Sequence, residues 1–437
     1  MKYYTENIAP DSFSGSIFAL EGIWDACAVL NGPTGCKFYH SAISDSQFPR
    51  TATYNPLEFT EGFYFGQPRV PSTYLDGNDY IFGSGDKIAN ILKSAVQKGY
   101  ALIAVINSPG AALIGDDLAR FLKEEVKGIP CFSLENTGFS GSFGSGYQTA
   151  ILSALLAIGV NGEKPAGDTV KKKTVNLLGL CIYQKYYDQN YLAIKNLLAL
   201  CGIEVIAALG AGDSVAALRR MTCAALNVVV YPEYGAAIAE YLKTGYGMPS
   251  VCPEEGPPLG FDAAAAFVRQ VCAALDADPQ KALDTIDRAR ARAYRHLSRF
   301  SSLLGLPKGT LFSIKAEAST AYALSKWLCG YLGMIPAAIS VLPDSDSGFT
   351  EKLRGFLTGI HYQDTLKNPI IETATHILLA DGNTIAELKV YGQQCCGIEI
   401  ALPVLGYLDI TEKTLFGGQG ALFLLEQILN GLRFVIR

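Results

Sequence analysis

The chain has 437 residues, roughly three times the commonest length of a single domain. Hydrophobic residues make up 49% and charged residues 18%, which excludes an intrinsically disordered protein and a coiled coil. The formal charge of −5 gives no general attraction to polyphosphate, so nucleic acid is not an expected partner. The N-terminal sequence lacks the features of a signal peptide, and no run reaches the ~20 apolar residues of a membrane span. We therefore predict a cytoplasmic protein without a membrane partner.

Short apolar runs that end at Gly, Pro or acidic residues recur along the chain and are typical of buried strands. They occupy residues 102–107, 129–134, 175–180, 203–209, 226–232, 311–315, 335–342, 376–381 and 398–404. Stretches with helical periodicity lie between them, at 117–127, 191–201, 214–221 and 320–332. Because a parallel return needs a crossover long enough to hold a helix, this alternation predicts an α/β fold with mainly parallel sheets.

Two polar breaks, at 161–174 and 303–310, are each followed by a new apolar strand. We therefore predict three α/β domains that meet at a central cleft. They comprise residues 1–168, 169–305 and 306–437. Residues 278–304 carry five arginines on a helical repeat and predict a long linking helix. Its basic face is expected to be solvated, with a docking surface as the alternative.

Common catalytic motifs are absent: the chain has no Gly-rich phosphate loop and no G-x-S-x-G sequence, and its four histidines lie in no motif. An ordered set of other segments is more informative. They are NGPTGC at 31–36, DYIFGSGDKI at 79–88, IGDDL at 114–118, ENTGFSG at 135–141, LNVVVYPEYG at 226–235, YGMP at 246–249, PPLGFD at 257–262 and FGGQG at 416–420. In this order they resemble the component 1 proteins of nitrogenase and their relatives, which include cofactor-assembly scaffolds and dark-operative tetrapyrrole reductases.

The resemblance spans nearly the whole chain and implies three Rossmann-like domains around a cofactor pocket. It also implies an iron–sulfur cluster of the 4Fe–4S type at a subunit interface, since Cys36 falls on a ligand position of the family. Thiolate is the ligand that such clusters require, and Gly35 beside it would let the backbone approach the cluster. Cys36 is thus the expected metal ligand and Gly35 a cofactor contact. The alternative is that Cys36 is an ordinary thiol in a tight turn.

Other ligand positions of the family are not filled. No cysteine lies near Asp11, and Pro109 stands about where a later cysteine is expected. One thiolate cannot hold a cluster, so we expect a homodimer, or a heterodimer with a paralogous subunit, around Cys36. Oxygen ligands such as Asp11, or cysteines of the partner, would complete the site. The aromatic segment 59–66 is expected to form part of the interface, with a lid as the alternative.

The iron–molybdenum cofactor of nitrogenase itself is not expected, because Tyr231 stands where the middle domain of the family presents a cysteine. The pocket residues that the resemblance points to are Tyr231, Glu233 and Asp409 as catalytic candidates, together with Tyr234 and Tyr407. Aromatic faces and carboxylates suit an organic substrate. Alternatively, the tyrosines close the ends of strands.

The resemblance therefore favours an oxidoreductase. We expect a nitrogenase-like component 1 subunit that takes low-potential electrons from an ATP-dependent iron–sulfur reductase protein, under anaerobic conditions, and reduces an organic substrate such as a tetrapyrrole. A non-catalytic partner subunit or a cofactor-assembly scaffold of the same family is the alternative. Cys27 and the adjacent pair Cys395 and Cys396 are expected to pack as small apolar side chains, with a redox role as the alternative for the pair.

Overall fold

Three parallel sheets organise the chain. The computed structural model describes residues 9–47, 69–135, 141–160, 172–343, 348–406 and 408–435. Every ladder between named strands in these ranges is parallel. The expected α/β class is thereby confirmed. No helix of the described residues is long and apolar enough to cross a membrane, and the cytoplasmic location stays a prediction.

Sheet I has three strands in the order β1-β2-β3: β1 (Ala26–Asn31), β2 (Leu102–Asn107) and β3 (Cys131–Leu134). Its helices are α1 (Ser12–Glu21), α2 (Thr34–Gln47), α3 (Asp79–Phe82), α4 (Gly85–Gln97), α5 (Leu118–Glu125) and α6 (Phe143–Ala157), with a short 3-10 helix at Ala111–Leu113. All residues of β1 and β2 are buried, as expected for strands covered by helices on both faces.

Sheet II has the order β5-β4-β6-β7: β4 (Thr174–Leu178), β5 (Glu204–Ala208), β6 (Leu226–Val229) and β7 (Ser250–Val251). Its helices are α7 (Tyr187–Leu200), α8 (Val215–Arg219), α9 (Pro232–Tyr246), α10 (Gly260–Ala274) and α11 (Gln280–Leu304), with a 3-10 helix at Met221–Cys223. The predicted long helix is α11. Within it Arg290 lies 2.7 Å from Asp262 of α10, whereas Arg288 and Arg292 are exposed.

Sheet III has the order β11-β10-β8-β9: β8 (Leu311–Ala316), β9 (Ile335–Val341), β10 (Ile377–Asp381) and β11 (Cys396–Ala401). Its helices are α12 (Ala318–Gly330), α13 (Phe349–Gly359), α14 (Gly382–Val390) and α15 (Gly417–Val435), with 3-10 helices at Gln363–Leu366 and Ile370–Glu372. Sheets II and III share one topology, because in each the first strand lies between the second and the third. Ligands bind preferentially at such switch points, outside the carboxyl ends of the strands.

The domain division stays a prediction. Residue 168 lies outside the described residues, and residue 305 is Gly305, which ends α11 with φ +69°. A left-handed glycine at that position is a common way to end a helix. The strands of sheets I, II and III fall respectively within the ranges 26–134, 174–251 and 311–401.

Helices α1 and α6 pack with their backbones in contact. A Cβ atom on Gly15 would lie 2.1 Å from the carbonyl oxygen of Phe143, and one on Gly146 would lie 1.9 Å from the carbonyl oxygen of Ser12. Only glycine fits at such distances. The contact places the N-terminal turn of α6 beside α1, where both helices face the ends of sheets II and III.

Candidate functional site

A cavity of about 370 Å³ lies where the carboxyl ends of sheets II and III face α1, α2 and α6. Sheet II contributes the turn after β4 and the start of α9, which follow its two strands at the switch point. Sheet III contributes the ends of β8 and β10 and the turn after β11. All three sheet units therefore build its wall. We call it the central cavity.

Aromatic side chains form the wall nearest α1 and α6. The ring of Tyr183 lies 4.9 Å from the rings of both Phe18 and Phe143, measured between centroids. Tyr234 packs edge-on against Phe143 at 5.6 Å, and Tyr231 lies 6.1 Å from Tyr234. These contacts favour stacking of a planar apolar molecule against the wall.

Two carboxyl groups lie on the wall between sheets II and III. Glu233, in the first turn of α9, accepts hydrogen bonds from the Ser319 backbone N–H at 2.8 Å and from its hydroxyl at 2.8 Å. Glu317, which directly precedes α12, accepts the Tyr234 hydroxyl proton at 2.6 Å. Burial raises the pKa of Glu233 to about 7, the Ser319 N–H opposes that rise, and the negative charge of Glu317 adds to it.

A lysine and an aspartate lie at the ends of two neighbouring strands of sheet III. Lys315 of β8 lies 3.7 Å from the carboxylate of Asp381, the last residue of β10. Asp381 also caps α14 by accepting the Thr384 N–H at 3.0 Å. Both charged side chains line the central cavity. Because they form an ion pair, the positive charge of Lys315 is balanced by the negative charge of Asp381.

Asp409 lies in a groove next to the central cavity and not on the cavity wall itself. Its carboxylate is 3.3 Å from Lys185 and 2.8 Å from Lys413, and it accepts the Tyr186 hydroxyl proton at 2.9 Å. Burial raises the pKa of Asp409, but the bonds from Lys413, Tyr186 and Lys185 outweigh it and hold the pKa below its ordinary value. These contacts therefore favour a structural role for the ionised carboxylate of Asp409 over a catalytic role.

Cys36 lies in the first turn of α2 and is half-buried. Partial burial raises the pKa of its thiol, and the Asp11 carboxylate raises it further. A thiol whose pKa is raised in this way is a poor nucleophile, so covalent catalysis is not favoured here. Gly35 is exposed, and a Cβ added to it would meet nothing within 4 Å, which leaves open space above the turn.

His40 links the Cys36 turn to the central cavity. Its Nδ1 donates to the Cys36 carbonyl oxygen at 2.7 Å, because a carbonyl can only accept, and its Nε2 faces the Ser14 hydroxyl at 3.0 Å. The ring packs edge-on against Phe13 at 5.0 Å. Burial lowers the pKa of His40, whereas the hydrogen bond to the Cys36 backbone and the charge of Asp11 raise it by less. The neutral ring is therefore favoured.

Three segments near Cys36 carry a patch of exposed apolar side chains: α2, α3 and the 3-10 helix at Ala111–Leu113. Tyr80 of α3 lies within electrostatic reach of the Cys36 thiol, and its hydroxyl lies against Gly110. We call the patch the Cys36 patch; it consists of Phe38, Tyr39, Tyr80, Ile81, Phe82 and Leu113. Exposed apolar side chains gathered in one region are typical of interaction surfaces.

The residues of one chain fit only part of an iron–sulfur site. Within the described ranges, no three His, Cys, Asp or Glu side chains are grouped so as to hold a metal ion. Cys36 offers one thiolate, and Asp11, which caps α1 by accepting the Ser14 N–H at 3.0 Å, lies close to it. A cluster would fit here only if a second subunit supplied the remaining ligands.

Of the predicted site residues, Tyr231 and Glu233 lie on the wall of the central cavity, whereas Cys36, Gly35 and Asp409 lie elsewhere. Their roles stay predictions. Tyr407 and the segment 59–66 lie outside the described residues. Cys27 is buried in β1, as predicted. Further cavity residues were not singled out from the sequence: Glu317, Lys315, Lys185, Asp381 and His40. Sequence reasoning could have found Lys315, Glu317 and Asp381, because they lie at or just after the carboxyl ends of predicted strands.

Comparison with known proteins identifies the family. The model of nitrogenase component 1 type oxidoreductases matches residues 12–433. The chain belongs to this family. A light-independent protochlorophyllide reductase subunit of Methylobacterium radiotolerans is 28% identical over 242 residues, which cover 54% of this chain and 44% of that protein. The subunit of the same name from Pelodictyon phaeoclathratiforme is 26% identical over 355 residues, covering 78% and 63%. This chain therefore spans less than two thirds of the length of these relatives.

Solved structures agree with the family fold. Nitrogenase Cp1 at pH 6.5 matches with a TM-score of 0.74 and 15% identity, covering 100% of this chain and 95% of that one. Nitrogenase Cp1 at pH 5 matches with a TM-score of 0.68 and 18% identity, covering 98% and 88%. At this level of identity the likeness shows the fold and leaves the chemistry to the residues of this chain.

Proposed function

We propose that the chain is a subunit of a nitrogenase-like reductase that reduces an organic molecule bound in the central cavity. The electrons would come from an ATP-dependent iron–sulfur reductase protein, through a cluster held at the Cys36 turn. The observation that carries this proposal is the position of His40. It lines the central cavity and also bonds the backbone of Cys36, so the predicted metal ligand and the cavity are one helical turn apart.

The cavity wall supports an organic substrate. The rings of Phe18, Phe143 and Tyr183 offer apolar faces, and the carboxyl group of Glu233 offers a proton near neutral pH. A tetrapyrrole is the candidate that the names of the relatives support, since protochlorophyllide belongs to that class of planar molecules.

The Cys36 turn supports a cluster shared between two subunits. A bound cluster would supply one-electron transfer at low potential. Cys36 would hold iron, and the open space above Gly35 would leave room for it. The Cys36 patch would be covered by the second subunit, either another copy of this chain or a paralogue that brings the missing ligands.

The test is anaerobic purification with iron and sulfide analysis. We expect a brown protein with absorbance at ~400 nm that dithionite bleaches, as thiolate-ligated clusters show. Cys36→Ala should lose iron and sulfide while the fold remains, whereas Cys27→Ala should keep them and lose ~1–3 kcal/mol of packing. If the wild-type protein contains no iron even with candidate paralogous subunits, or if Cys36→Ala keeps it, the redox proposal is wrong.

A second candidate function rests on the single thiolate that the Cys36 turn offers. A non-catalytic partner subunit or a cofactor-assembly scaffold needs no complete ligand set of its own, and the described residues group no such set. A colourless protein that takes up neither iron nor sulfide on reconstitution, but forms a stable complex with a paralogous subunit, would favour this alternative.

A further inference from the structure

Two cysteine side chains from different helices of sheet II lie in contact. Cys201 directly follows α7, and Cys272 lies in the last turn of α10. The thiol of Cys272 donates a hydrogen bond to the sulfur of Cys201. The two residues are roughly 70 positions apart in the chain, so the fold brings them together. Two thiols in contact are the starting arrangement for a disulfide bond.

The sulfur of Cys201 lies against the N-terminus of α11. The Ala282 N–H, in the first turn of α11, donates to this sulfur and also reaches the Pro279 carbonyl oxygen at 3.1 Å. The S–H of Cys201 in turn donates to the Leu197 carbonyl oxygen at 3.5 Å. N–H groups without a helical partner and the positive end of the helix dipole both stabilise a thiolate at such a position.

The contact between the two thiols has opposite effects on their acidity. Burial raises the pKa of Cys201, whereas the hydrogen bonds from Cys272 and Ala282 lower it. Burial also raises the pKa of Cys272 to about 12, and the hydrogen bond to Cys201 adds to that rise. Asp278 raises both pKa values further, and Lys173 lowers that of Cys272. The hydrogen bond between the thiols therefore favours ionisation of Cys201 over Cys272.

The pair lies just below the surface of the protein. Cys201 is 7% exposed and Cys272 is 1% exposed. Their neighbours in the chain are exposed: Leu200, Gly202, Ala273 and Ala274. The turn at 275–279 lies beside both thiols, since Asp278 interacts electrostatically with each of them. Local opening of this turn would admit a small oxidant to the sulfur of Cys201.

We propose that Cys201 and Cys272 form a redox-sensitive pair, which a hydroperoxide converts into an intramolecular disulfide between the end of α7 and α10. Cys201 is the attacking thiol, and Cys272 is the thiol that resolves the intermediate. Both residues lie outside the wall of the central cavity and outside the Cys36 turn. The inference therefore goes beyond the proposed function and does not depend on it.

The reaction balances with one peroxide for each pair of thiols. The Cys201 thiolate attacks one oxygen of the peroxide; an S–O bond forms, the O–O bond breaks, and the departing hydroxide takes a proton. The Cys272 thiolate then attacks the sulfur of the sulfenic acid; the S–S bond forms, and the S–O bond breaks. The second hydroxide also takes a proton. Two thiols are oxidised, and hydrogen peroxide is reduced to two molecules of water.

A disulfide at this position would fasten the end of α7 to α10. It would close a loop of roughly 70 residues, which restricts the unfolded chain much more than the folded protein. The oxidised protein should therefore unfold at a higher urea concentration than the reduced protein. Dithiothreitol should return the unfolding midpoint to that of the reduced protein.

Peptide mapping after treatment with hydrogen peroxide tests the proposal on the full-length protein. The reduced protein is treated in its folded state, free thiols are alkylated, and the digest is analysed by mass spectrometry without reductant. We expect a linked pair of peptides that contain Cys201 and Cys272, and dithiothreitol should separate them. Free thiols at both positions after peroxide, or a link that forms only when the protein is unfolded in urea, overturns the proposal.

Single variants test the roles of the two thiols. Cys272→Ser should leave Cys201 as a sulfenic acid that reacts with dimedone, because the resolving thiol is gone. Cys201→Ser should leave Cys272 unoxidised. The matched control is Cys329→Ser on α12, where burial also raises the thiol pKa to about 12, and it should keep the link between Cys201 and Cys272. A dimedone adduct on Cys272 in Cys201→Ser, with none on Cys201 in Cys272→Ser, overturns the assigned roles. The mapping of the wild-type protein decides the case if either variant fails to fold.

Discussion

The ammonium nitrogen of Lys185 lies 3.3 Å from Oε2 of Glu399, and the two side chains expose only 3% and 1% of their surface. Lys185 follows β4 of sheet II, and Glu399 lies in β11 of sheet III. Oε1 of the same carboxylate accepts the N–H groups of Leu405 and Gly406. One buried ion pair therefore joins two sheets beside the central cavity and holds the turn that follows β11.

Lys185→Met should destabilise the fold by about 3–5 kcal/mol, because it leaves the carboxylate of Glu399 buried and unpaired. The double variant Lys185→Met with Glu399→Gln should lose less than the sum of the single variants, since the uncompensated charge is gone. Urea unfolding of the four proteins measures both effects.

Lys413→Met is the matched control for the Lys185 variant. Lys413 also pairs with Asp409, but both of these side chains are 24% exposed, so the loss should be at most about 1 kcal/mol. Equal stability of the Lys185→Met and Lys413→Met proteins would contradict a structural role for the buried pair.

Glu233→Gln should make the protein more stable at alkaline pH. The raised pKa of Glu233, about 7, means that the folded state keeps a proton that the unfolded state releases above its ordinary carboxyl pKa of about 4. The unfavourable contribution of Glu233 thus grows as the pH rises towards 7 and is complete above it. We expect Glu233→Gln to gain about 1–3 kcal/mol over the wild-type protein at pH 8 and nothing at pH 4, as measured by denaturant unfolding.

Asp409→Asn is the control, because its effect on stability should have the opposite sign. The pKa of Asp409 lies below its ordinary value, so its stabilising contribution is present at neutral pH and is lost as the pH falls through the folded pKa. This variant should be less stable than the wild-type protein at pH 7, with the difference shrinking in acid. If the stability difference between Glu233→Gln and the wild-type protein does not depend on pH, the pKa of Glu233 is not raised in the folded protein.

The Cys36 patch should be needed for subunit association. Ile81 and Phe82 expose 73% and 83% of their surface, so replacing both by Asp should leave the free energy of unfolding of the monomer nearly unchanged. The same change places charge where a partner would pack, and it should convert an associated species into a monomer in anaerobic light scattering. Val390→Asp, at an 84% exposed position on α14, is the control and should keep the association. An unchanged mass of the double variant would place the interface elsewhere.

Sequence patterns predict the strands well because buried parallel strands are continuous apolar runs. The run at residues 102–107 has the same bounds as β2, whereas β1 was not among the predicted strands. Glu233 could be singled out because it follows β6 within a recognisable segment. Glu317 could not, since its importance depends on Tyr234, which is 83 positions away in the chain. Asp409 was expected in the pocket, but its placement depends on the buried Lys185, which no local pattern reveals.

Gly35 and Gly146 differ in what an added side chain would meet. Gly35 is exposed in the first turn of α2, and a Cβ there would have nothing within 4 Å. Gly35→Ala should therefore keep the free energy of unfolding or raise it by up to ~1 kcal/mol, since alanine favours a helix more than glycine does. If the open space receives the shared cluster, the same variant should contain less iron than the wild-type protein after anaerobic purification.

Gly146→Ala should behave in the opposite way. Its Cβ would lie 1.9 Å from the carbonyl oxygen of Ser12, so α1 and α6 must separate, at a cost of about 1–3 kcal/mol or more. Iron content per folded molecule should stay near the wild-type value where Cys36 is the ligand that this chain supplies, because the change displaces α1 and leaves α2 in place. Iron analysis and urea unfolding of both variants together distinguish a cofactor contact from a packing contact. Full iron content in Gly35→Ala would mean that the space above the Cys36 turn is not where the cluster binds.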